Sequence, residues 1–312
     1  MTSLILSVGE KVLILFLMIG AGVILTRKNI LTKAGASQLA DIVLLVSTPC
    51  IIINAFSAGM DQVSVKNLLI IAAAAVAAQA LEILGSRLFF RKQPPERRKV
   101  LQFGAAYANV GFMGLPLLQS LLGNDGVVYA SLYIVVFNLF CWTHGVRQMS
   151  GPGNAADAPP LWKCLINPGT VGLLLGLPIF LFRLPVPGLV SEVLSGFAGL
   201  NTPLAMLCIG VHISAISFRD VLRDRSILAV TAVRLVVIPL AVSAVLRPFI
   251  GDYGVFASVV LQAAMPVGAN TVLFASRYHG DEKLASQAIA LSTVLSILTL
   301  PLFAVAARFV TQ

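Results

Sequence analysis

Two apolar stretches of the sequence carry helix-breaking residues beside neutral polar side chains. They read AAYANVGFMGLP at 105–116 and AAMPVGANTVLF at 263–274. Proline cannot donate a backbone hydrogen bond and glycine permits a turn, so a helix would stop and restart in each stretch. A restarted helix presents unpaired N–H groups and about half a positive charge at its first turn. The chemistry that this pair of breaks predicts is the binding of an anion.

The candidate binding residues are the breakers and the neutral polar side chains in or beside these stretches. They are Asn109, Gly111, Gly114, Pro116, Gln262, Pro266, Gly268, Asn270 and Thr271. The alternative is that Pro and Gly only kink packed helices, as they often do in membrane spans. Two breaks, each with an Asn beside it, favour a site. Because the C-terminal ends of the interrupted helices would converge at the same place, a cation site is a further alternative.

Two of the charged residues inside apolar runs stand out, because ionisable groups there are costly and are either paired or functional. They are Glu82 and Arg234. We predict a buried charge pair or a role in coupling. The alternatives are contact of Arg234 with an anionic substrate and exposure of Glu82 beside Arg87.

The sequence predicts neither an enzyme nor a metal site, and it predicts no resident cofactor. The four cysteines show no CxxC spacing and the three histidines are scattered. The chain contains no GxSxG, Walker A or GxGxxG motif. A membrane-embedded enzyme would need a nucleophile–base pair or a metal cluster within the apolar runs.

The composition indicates a membrane protein. The chain is 58% hydrophobic and only 11% charged, whereas a soluble domain carries about a quarter charged residues. Its net charge of +9 is clustered in short segments between apolar runs, with few aromatic residues among them. We therefore predict that the basic residues orient the chain in a lipid bilayer and do not bind nucleic acid.

Ten apolar runs are long enough to cross a bilayer as helices. They lie at 3–25, 37–58, 66–90, 100–122, 125–146, 164–183, 189–214, 225–248, 254–278 and 284–308. The first run lacks the basic cluster and cleavage site of a signal peptide, so it is counted as a span. The two stretches with breaks belong to spans 4 and 9.

The distribution of basic residues orients these spans. Of the 22 Lys and Arg residues, 16 lie in or beside the loops after spans 1, 3, 5, 7 and 9. Loops rich in Lys and Arg face the cytoplasm. We therefore predict a multi-pass protein of the cell inner (cytoplasmic) membrane, with both termini on the non-cytoplasmic side.

The two halves of the chain resemble each other. A Pro/Gly-rich segment lies in the predicted cytoplasmic linker 151–163 and separates five spans in 1–150 from five spans in 164–312. Span 2 contains Ser-Thr-Pro at 47–49, and span 7 contains Asn-Thr-Pro at 201–203. Because five is odd, the second half must be inverted. The predicted fold class is an all-α polytopic membrane protein with ten transmembrane helices, built as two inverted five-helix repeats in which the broken spans 4 and 9 cross.

Four motifs resemble the auxin efflux carrier family, which includes bacterial permeases. They are NVGFMGLPLL at 109–118, RLVVIPL at 234–240, MPVGANT at 265–271 and LSTVLSILTLP at 291–301. The resemblance covers nearly the whole chain. The long central loop common in plant members is absent, so regulation by that loop is not implied.

The resemblance implies a fold similar to that of the bile-acid sodium symporters. Spans 1, 2, 6 and 7 would form a scaffold, and spans 3–5 and 8–10 a transport domain. Family members carry organic anions, and dimers form through the scaffold, so a homodimer is expected here. By position in the motifs, Asn109, Pro116, Pro266 and Asn270 would bind the substrate.

We therefore predict a secondary transporter of small organic anions such as mono- or dicarboxylates, acting by alternating access in the lipid bilayer. The alternatives are a sodium-coupled carrier of larger amphipathic anions and a receptor that binds such an anion without moving it. The sequence leaves open the substrate, the direction of transport, and the choice among proton coupling, sodium coupling and uniport.

Overall fold

The computed structural model describes residues 2–58, 63–150, 168–214 and 221–311. The predicted linker 151–163 lies outside these residues. Within them, the secondary structure consists of helices joined by turns, with one isolated β-bridge. The helices are α1 (Thr2–Arg27), α2 (Lys33–Ala58), α3 (Val65–Phe90), α4 (Pro95–Ala106), α5 (Val110–Ser150), α6 (Pro168–Phe182), α7 (Gly188–Ser214), α8 (Arg225–Phe249), α9 (Tyr253–Ala263), α10 (Asn270–Arg277) and α11 (Glu282–Thr311).

Polar residues at the ends of apolar runs begin several of these helices. A side-chain oxygen accepts a hydrogen bond from a backbone N–H in the first turn, which stabilises a helix start by about 1 kcal/mol. The residues that do this are Thr32, Ser64, Asp224, Asp252 and Asp281. The chain therefore marks five of its described helix starts with local sequence signals.

Seven of the described helices are long and apolar enough to cross a membrane: α1, α2, α3, α5, α7, α8 and α11. The prediction of an all-helical, multi-pass membrane protein is confirmed. The ten spans and the two inverted repeats stay predictions. The helices α4 and α9 have only 12 and 11 residues, which is too short to cross a bilayer alone.

The helix α5 is twice as long as one crossing requires. Its 41 residues form two helices that join at a sharp turn, since Gly126 closely approaches the Leu118 carbonyl group. Gly123 interrupts it with φ 66 and ψ −142, a left-handed conformation that glycine adopts without a steric penalty. This turn lies between predicted spans 4 and 5.

The helices of predicted spans 1, 2, 6 and 7 pack in two close pairs. In the pair of α1 and α7, a Cβ atom on Gly22 would lie 2.6 Å from the Leu207 carbonyl oxygen. In the pair of α2 and α6, a Cβ atom on Gly172 would lie 2.9 Å from the Pro49 Cα. Both contacts bring helix backbones together, as small residues do in membrane proteins.

The most enclosed part of the molecule lies among the other helices. Its large, fully buried side chains include Arg234, Tyr107, Tyr133, Phe103 and Phe256. They come from α4, α5, α8 and α9 and from the segment between α4 and α5. This buried region surrounds the two helix interruptions.

Candidate functional site: a crossing of two interrupted helices

The structure interrupts the helical path in two places. The helix α4 ends at Ala106 and α5 begins at Val110. The helix α9 ends at Ala263 and α10 begins at Asn270. Each interruption lies within one of the two stretches that the sequence singled out.

The two interruptions contact each other as a short antiparallel bridge between Ala108 and Val267. The Asn109 N–H donates to the Pro266 carbonyl at 2.8 Å, and the Gly268 N–H donates to the Tyr107 carbonyl at 2.9 Å. Breaking a helix frees backbone groups that cannot stay unpaired in an apolar interior. Here each interruption satisfies groups of the other.

The residues after α9 suit this arrangement. Pro266 has no N–H to leave unpaired, and its carbonyl is the acceptor for Asn109. The N–H of Val267 donates to the Ser292 hydroxyl of α11 at 3.0 Å. A Cβ atom on Gly268 would lie 2.7 Å from the Ala108 carbonyl oxygen, so only glycine allows this approach.

Arg234 of α8 binds the C-terminal ends of both interrupted helices. Its Nη1 donates to the Ala105 carbonyl at 2.8 Å, at the end of α4. Its Nε donates to the Met265 carbonyl at 3.0 Å, and its Nη2 donates to the Ala263 carbonyl, both at the end of α9. The negative ends of two helix dipoles thus meet a guanidinium group of the protein itself.

Glu82 of α3 completes this cluster. Its Oε1 lies 3.0 Å from Arg234 Nη2, and the two side chains are 1% and 0% exposed. Gln79, one turn earlier in α3, donates from Nε2 to the Ala106 carbonyl at 2.9 Å. A cation site at these helix ends was an alternative from the sequence. In the structure, the side chains of Arg234 and Gln79 donate hydrogen bonds to the carbonyl groups that such a cation would use.

The N-terminal ends of the restarted helices lack side-chain caps. Asn109 precedes α5 and Ala269 precedes α10, and neither side chain accepts a hydrogen bond from the following turn. At the start of α5, the N–H groups of Val110, Gly111 and Phe112 have no backbone partner among the described residues. At the start of α10, the Thr271 N–H already donates to the Gly268 carbonyl at 3.0 Å, so α10 contributes mainly through its dipole. With the partial positive charge of each dipole, the two starts can stabilise a negatively charged group.

Gln262 supplies an independent sign of a ligand at the crossing. It is 0% exposed, and neither Oε1 nor Nε2 finds a hydrogen-bond partner among the described residues. Its amide lies against Gly114 in the restarted half of predicted span 4, where a Cβ atom would come 2.0 Å from Oε1. A buried amide without partners costs about 1–3 kcal/mol, so a bound molecule that satisfies it gains that energy.

The hydroxyl of Thr271 is likewise buried and without a partner among the described residues. Thr271 lies in the first turn of α10, and its Cγ2 approaches Gly104 of α4. Gln262 and Thr271 thus add neutral hydrogen-bonding groups on either side of the second interruption.

The remaining candidate residues do not all lie at the contact between the two interruptions. The Asn270 Nδ2 lies 3.6 Å from the Cys141 Sγ of α5. Gly111 borders open space, since a Cβ atom added to it would meet nothing within 4 Å. Pro116 lies near the start of the regular α-helical part of α5, at Leu115–Phe140, rather than in the interruption at 107–109. The contact in the first break is made by Tyr107, Ala108 and Asn109.

Sequence reasoning missed a chain of three side chains behind the crossing. The Arg87 Nη2 lies 2.8 Å from His144 Nε2, and His144 Nδ1 lies 2.8 Å from the Tyr107 hydroxyl. Arginine only donates, so Nε2 accepts, Nδ1 carries the proton of a neutral ring, and Tyr107 donates to the Phe140 carbonyl at 3.0 Å. No sequence motif links these positions, since 57 residues separate Arg87 from His144.

Comparison with known proteins identifies the family. A family model described as "Membrane transport protein" matches residues 7–304. The chain belongs to this family of membrane transport proteins. It is the auxin efflux carrier family whose motifs the sequence resembles, so that prediction is confirmed.

Three relatives also carry transporter names. The chain is 27% identical over 306 residues to an "Uncharacterized transporter" of Methanothermobacter thermautotrophicus, covering 95% of this chain and 97% of the relative. It is 23% identical over 310 residues to a similarly named protein of Methanocaldococcus jannaschii, covering 94% and 97%. It is 22% identical over 220 residues to a "Putative malonate transporter" of Rhizobium meliloti, covering 68% of each chain. The chain is thus a membrane transport protein similar to proteins of archaea and bacteria.

Proposed function

We propose that this membrane transport protein is a secondary transporter of small organic anions such as mono- or dicarboxylates. The observation that carries the proposal is the buried, unpartnered Gln262 amide at the crossing, near two helix starts without caps. Such a place binds an anion through N–H groups, dipoles and neutral side chains. The proposed binding residues are the nine candidates named from the sequence, with Asn109, Gln262, Asn270 and Thr271 donating or accepting hydrogen bonds.

The proposed architecture has ten spans in two inverted repeats, 1–150 and 164–312. The helices α1, α2, α6 and α7 would form a scaffold and a homodimer contact, and the remaining helices would move against them. In support, the two matching motifs of spans 2 and 7 lie against each other, with Asn201 Nδ2 at 3.1 Å from Thr48 Oγ1. Inverted repeats around a central site suit alternating access.

The proposed mechanism uses the bound anion at the crossing as the transported species. In this mechanism each helix start would face the space between scaffold and transport domain, and movement of one domain would open that space to one side at a time. Arg234 and Gln79 occupy the carbonyl groups at the opposite helix ends. The proposal therefore assigns no sodium ion to those carbonyls.

The test is uptake of radiolabelled carboxylates into proteoliposomes containing the purified protein. Malonate is the first choice because one relative is named for it, and malate and several monocarboxylates follow. Imposed proton and sodium gradients show which ion, if either, drives uptake. Saturable uptake of at least one compound is the expected result.

The variant Asn270→Ala tests the site. It removes the amide at the start of α10 and should reduce uptake at least tenfold, since one hydrogen bond to a charged group contributes about 1.5–3 kcal/mol. Asn67→Ala is the matched control, because that amide lies in α3 and contacts Tyr129. Equal uptake by wild type and Asn270→Ala would refute the site assignment. Tight binding of a carboxylate without flux would instead indicate a receptor.

A further inference from the structure

The charged side chains at the crossing cancel each other. Among the described residues, the charged side chains that are almost fully buried are Glu82 and Arg234, and their Oε1 and Nη2 atoms lie 3.0 Å apart. Arg234 directs four hydrogen bonds to Glu82 and to three carbonyl groups at helix C-termini. All of these partners belong to the protein, and the three carbonyl groups lie at the ends of α4 and α9. The guanidinium group of Arg234 is therefore not available to bind a substrate.

The positive potential available to a substrate comes instead from two helix starts. Each restarted helix contributes about half an elementary charge at its N-terminus. The neighbouring candidate side chains, Asn109, Gln262, Asn270 and Thr271, are all neutral. The two helix starts that face the site thus contribute roughly one positive charge. Arg234 is shared between Glu82 and carbonyl groups at helix C-termini and adds no net positive charge to them, so the site can balance at most one negative charge. A second negative charge would be buried without compensation, which is strongly unfavourable.

The Gln262 amide matches a ligand that both donates and accepts. Its Oε1 needs a donor and its Nε2 needs an acceptor, and both are unsatisfied among the described residues. A carboxylate supplies only acceptors. A protonated carboxyl group supplies an O–H donor and a carbonyl acceptor in one plane, which fits a primary amide.

We infer that the site binds its substrate as a monoanion, and that a dicarboxylate enters with one carboxyl group ionised at the helix starts and the other protonated against Gln262. This inference rests on the proposed function and names the charge state of its substrate. One proton then crosses the membrane on each dicarboxylate, bound to the substrate oxygen throughout. No carboxylate of the protein needs to carry it.

The effect on binding of protonating a protein group must be distinguished from the effect of protonating the substrate. The titratable groups packed around the crossing are Glu82, Tyr107, Tyr133, Cys141 and His144, with Arg234 bound to Glu82 and Arg87 bound to His144. Protonation of any of these would change the binding of every carboxylate. Protonation of the substrate changes only the binding of compounds that themselves titrate.

Three probes of similar size distinguish these cases: malonate, malonamate and sulfoacetate. Malonamate is a monoanion whose amide resembles a protonated carboxyl group, malonate changes from monoanion to dianion at its second pKa, and sulfoacetate is a dianion over the same range. Binding is measured as ligand-induced thermal stabilisation of the purified protein, a readout that does not require flux. Measurements are made below and above the second pKa of malonic acid.

The expected result is binding of malonamate at both pH values, binding of malonate that weakens about tenfold per pH unit above that pKa, and no binding of sulfoacetate. Binding of sulfoacetate as tight as that of malonamate, or malonate binding that does not change with pH, would overturn the inference and leave the proposed function intact. If none of these probes and no monocarboxylate binds, the proposed function fails and the inference fails with it.

Gln262→Met sharpens the assignment, because methionine keeps the volume and removes both polar atoms. We expect affinity for malonamate to fall at least tenfold while affinity for a simple monocarboxylate such as propionate falls less than threefold. The matched control is Gln148→Met, since both polar atoms of that amide also lack partners but the residue lies in the last turns of α5. Equal losses for malonamate and propionate would overturn the role of Gln262.

Discussion

The two helix interruptions look alike in the structure but arise differently. The segment between α9 and α10 contains Pro266 and Gly268, which favour a break on their own. The segment between α4 and α5 is Tyr107-Ala108-Asn109, with neither Pro nor Gly. Its backbone is held by hydrogen bonds to Pro266 and Gly268. One break is encoded locally, whereas the other depends on its partner.

This difference explains how the crossing is stabilised. A non-helical segment buried in apolar surroundings requires partners for its backbone groups. The second break provides two of those partners to the first, while Ser292 of α11 satisfies Val267. Changes at Pro266 or Gly268 should therefore disturb both breaks, because the first segment has no helix breaker of its own. Changes near the first break that keep these two backbone hydrogen bonds should stay local.

The largest effect is expected from Arg234→Met, which removes the contact common to both breaks. It leaves Glu82 buried without its partner and frees carbonyl groups at the ends of α4 and α9. The expected loss is about 3–5 kcal/mol of folding free energy. Thermal unfolding in detergent measures it. The double variant Glu82→Leu with Arg234→Met should recover part of this loss, and a single variant as stable as wild type would contradict the assignment.

A pair of alanine substitutions compares the breaks directly. At Gly268, a Cβ atom would lie 2.7 Å from the Ala108 carbonyl oxygen and would push the two segments apart. Gly268→Ala should cost about 1–3 kcal/mol, as overpacking does. Gly111→Ala, beside the first break, meets no atom within 4 Å and should change stability by less than about 0.5 kcal/mol. Equal losses in the two thermal-unfolding measurements would contradict the proposed asymmetry.

The smallest effect is expected at an ion pair between the first turn of α4 and the start of α8. Arg97 of α4 forms an ion pair with Asp224, the residue that caps α8. Burial alone would raise the pKa of Asp224, but hydrogen bonds from Arg97 and from the Ser226 N–H outweigh it and lower the pKa. Because the pKa is lower in the folded state, this stabilisation is present above the unfolded value of about 3.9 and is lost as the pH falls through the folded value.

Asp224→Asn should therefore destabilise the protein by less than about 1 kcal/mol near neutral pH, since the pair is partly exposed. The difference from wild type should vanish in acid. Asp252→Asn makes the same change at the start of α9 and serves as the control. A difference that grows as the pH falls would show that the sign is wrong.

Much of the candidate site could be predicted because its residues break a local rule. Pro266, Gly268 and Asn270 stand out in an apolar run, and α10 begins at Asn270. The first break was harder to place. The helix-breaking residues Gly111, Gly114 and Pro116 predict a break at 111–116, whereas the helix is interrupted at 107–109. Tertiary hydrogen bonds, and not local preference, decide that position.

The sequence by itself determined the membrane class, the family and the two stretches in which helices are interrupted, since each depends on composition or on short motifs. Only the tertiary structure decided which groups meet. Arg234 binds carbonyl groups 31 and 129 residues away and a carboxylate 152 residues away. Gln262 lies against Gly114, and His144 links Arg87 to Tyr107. In an apolar interior a backbone group freed by a helix break requires a partner, and which partner it finds depends on how distant helices pack.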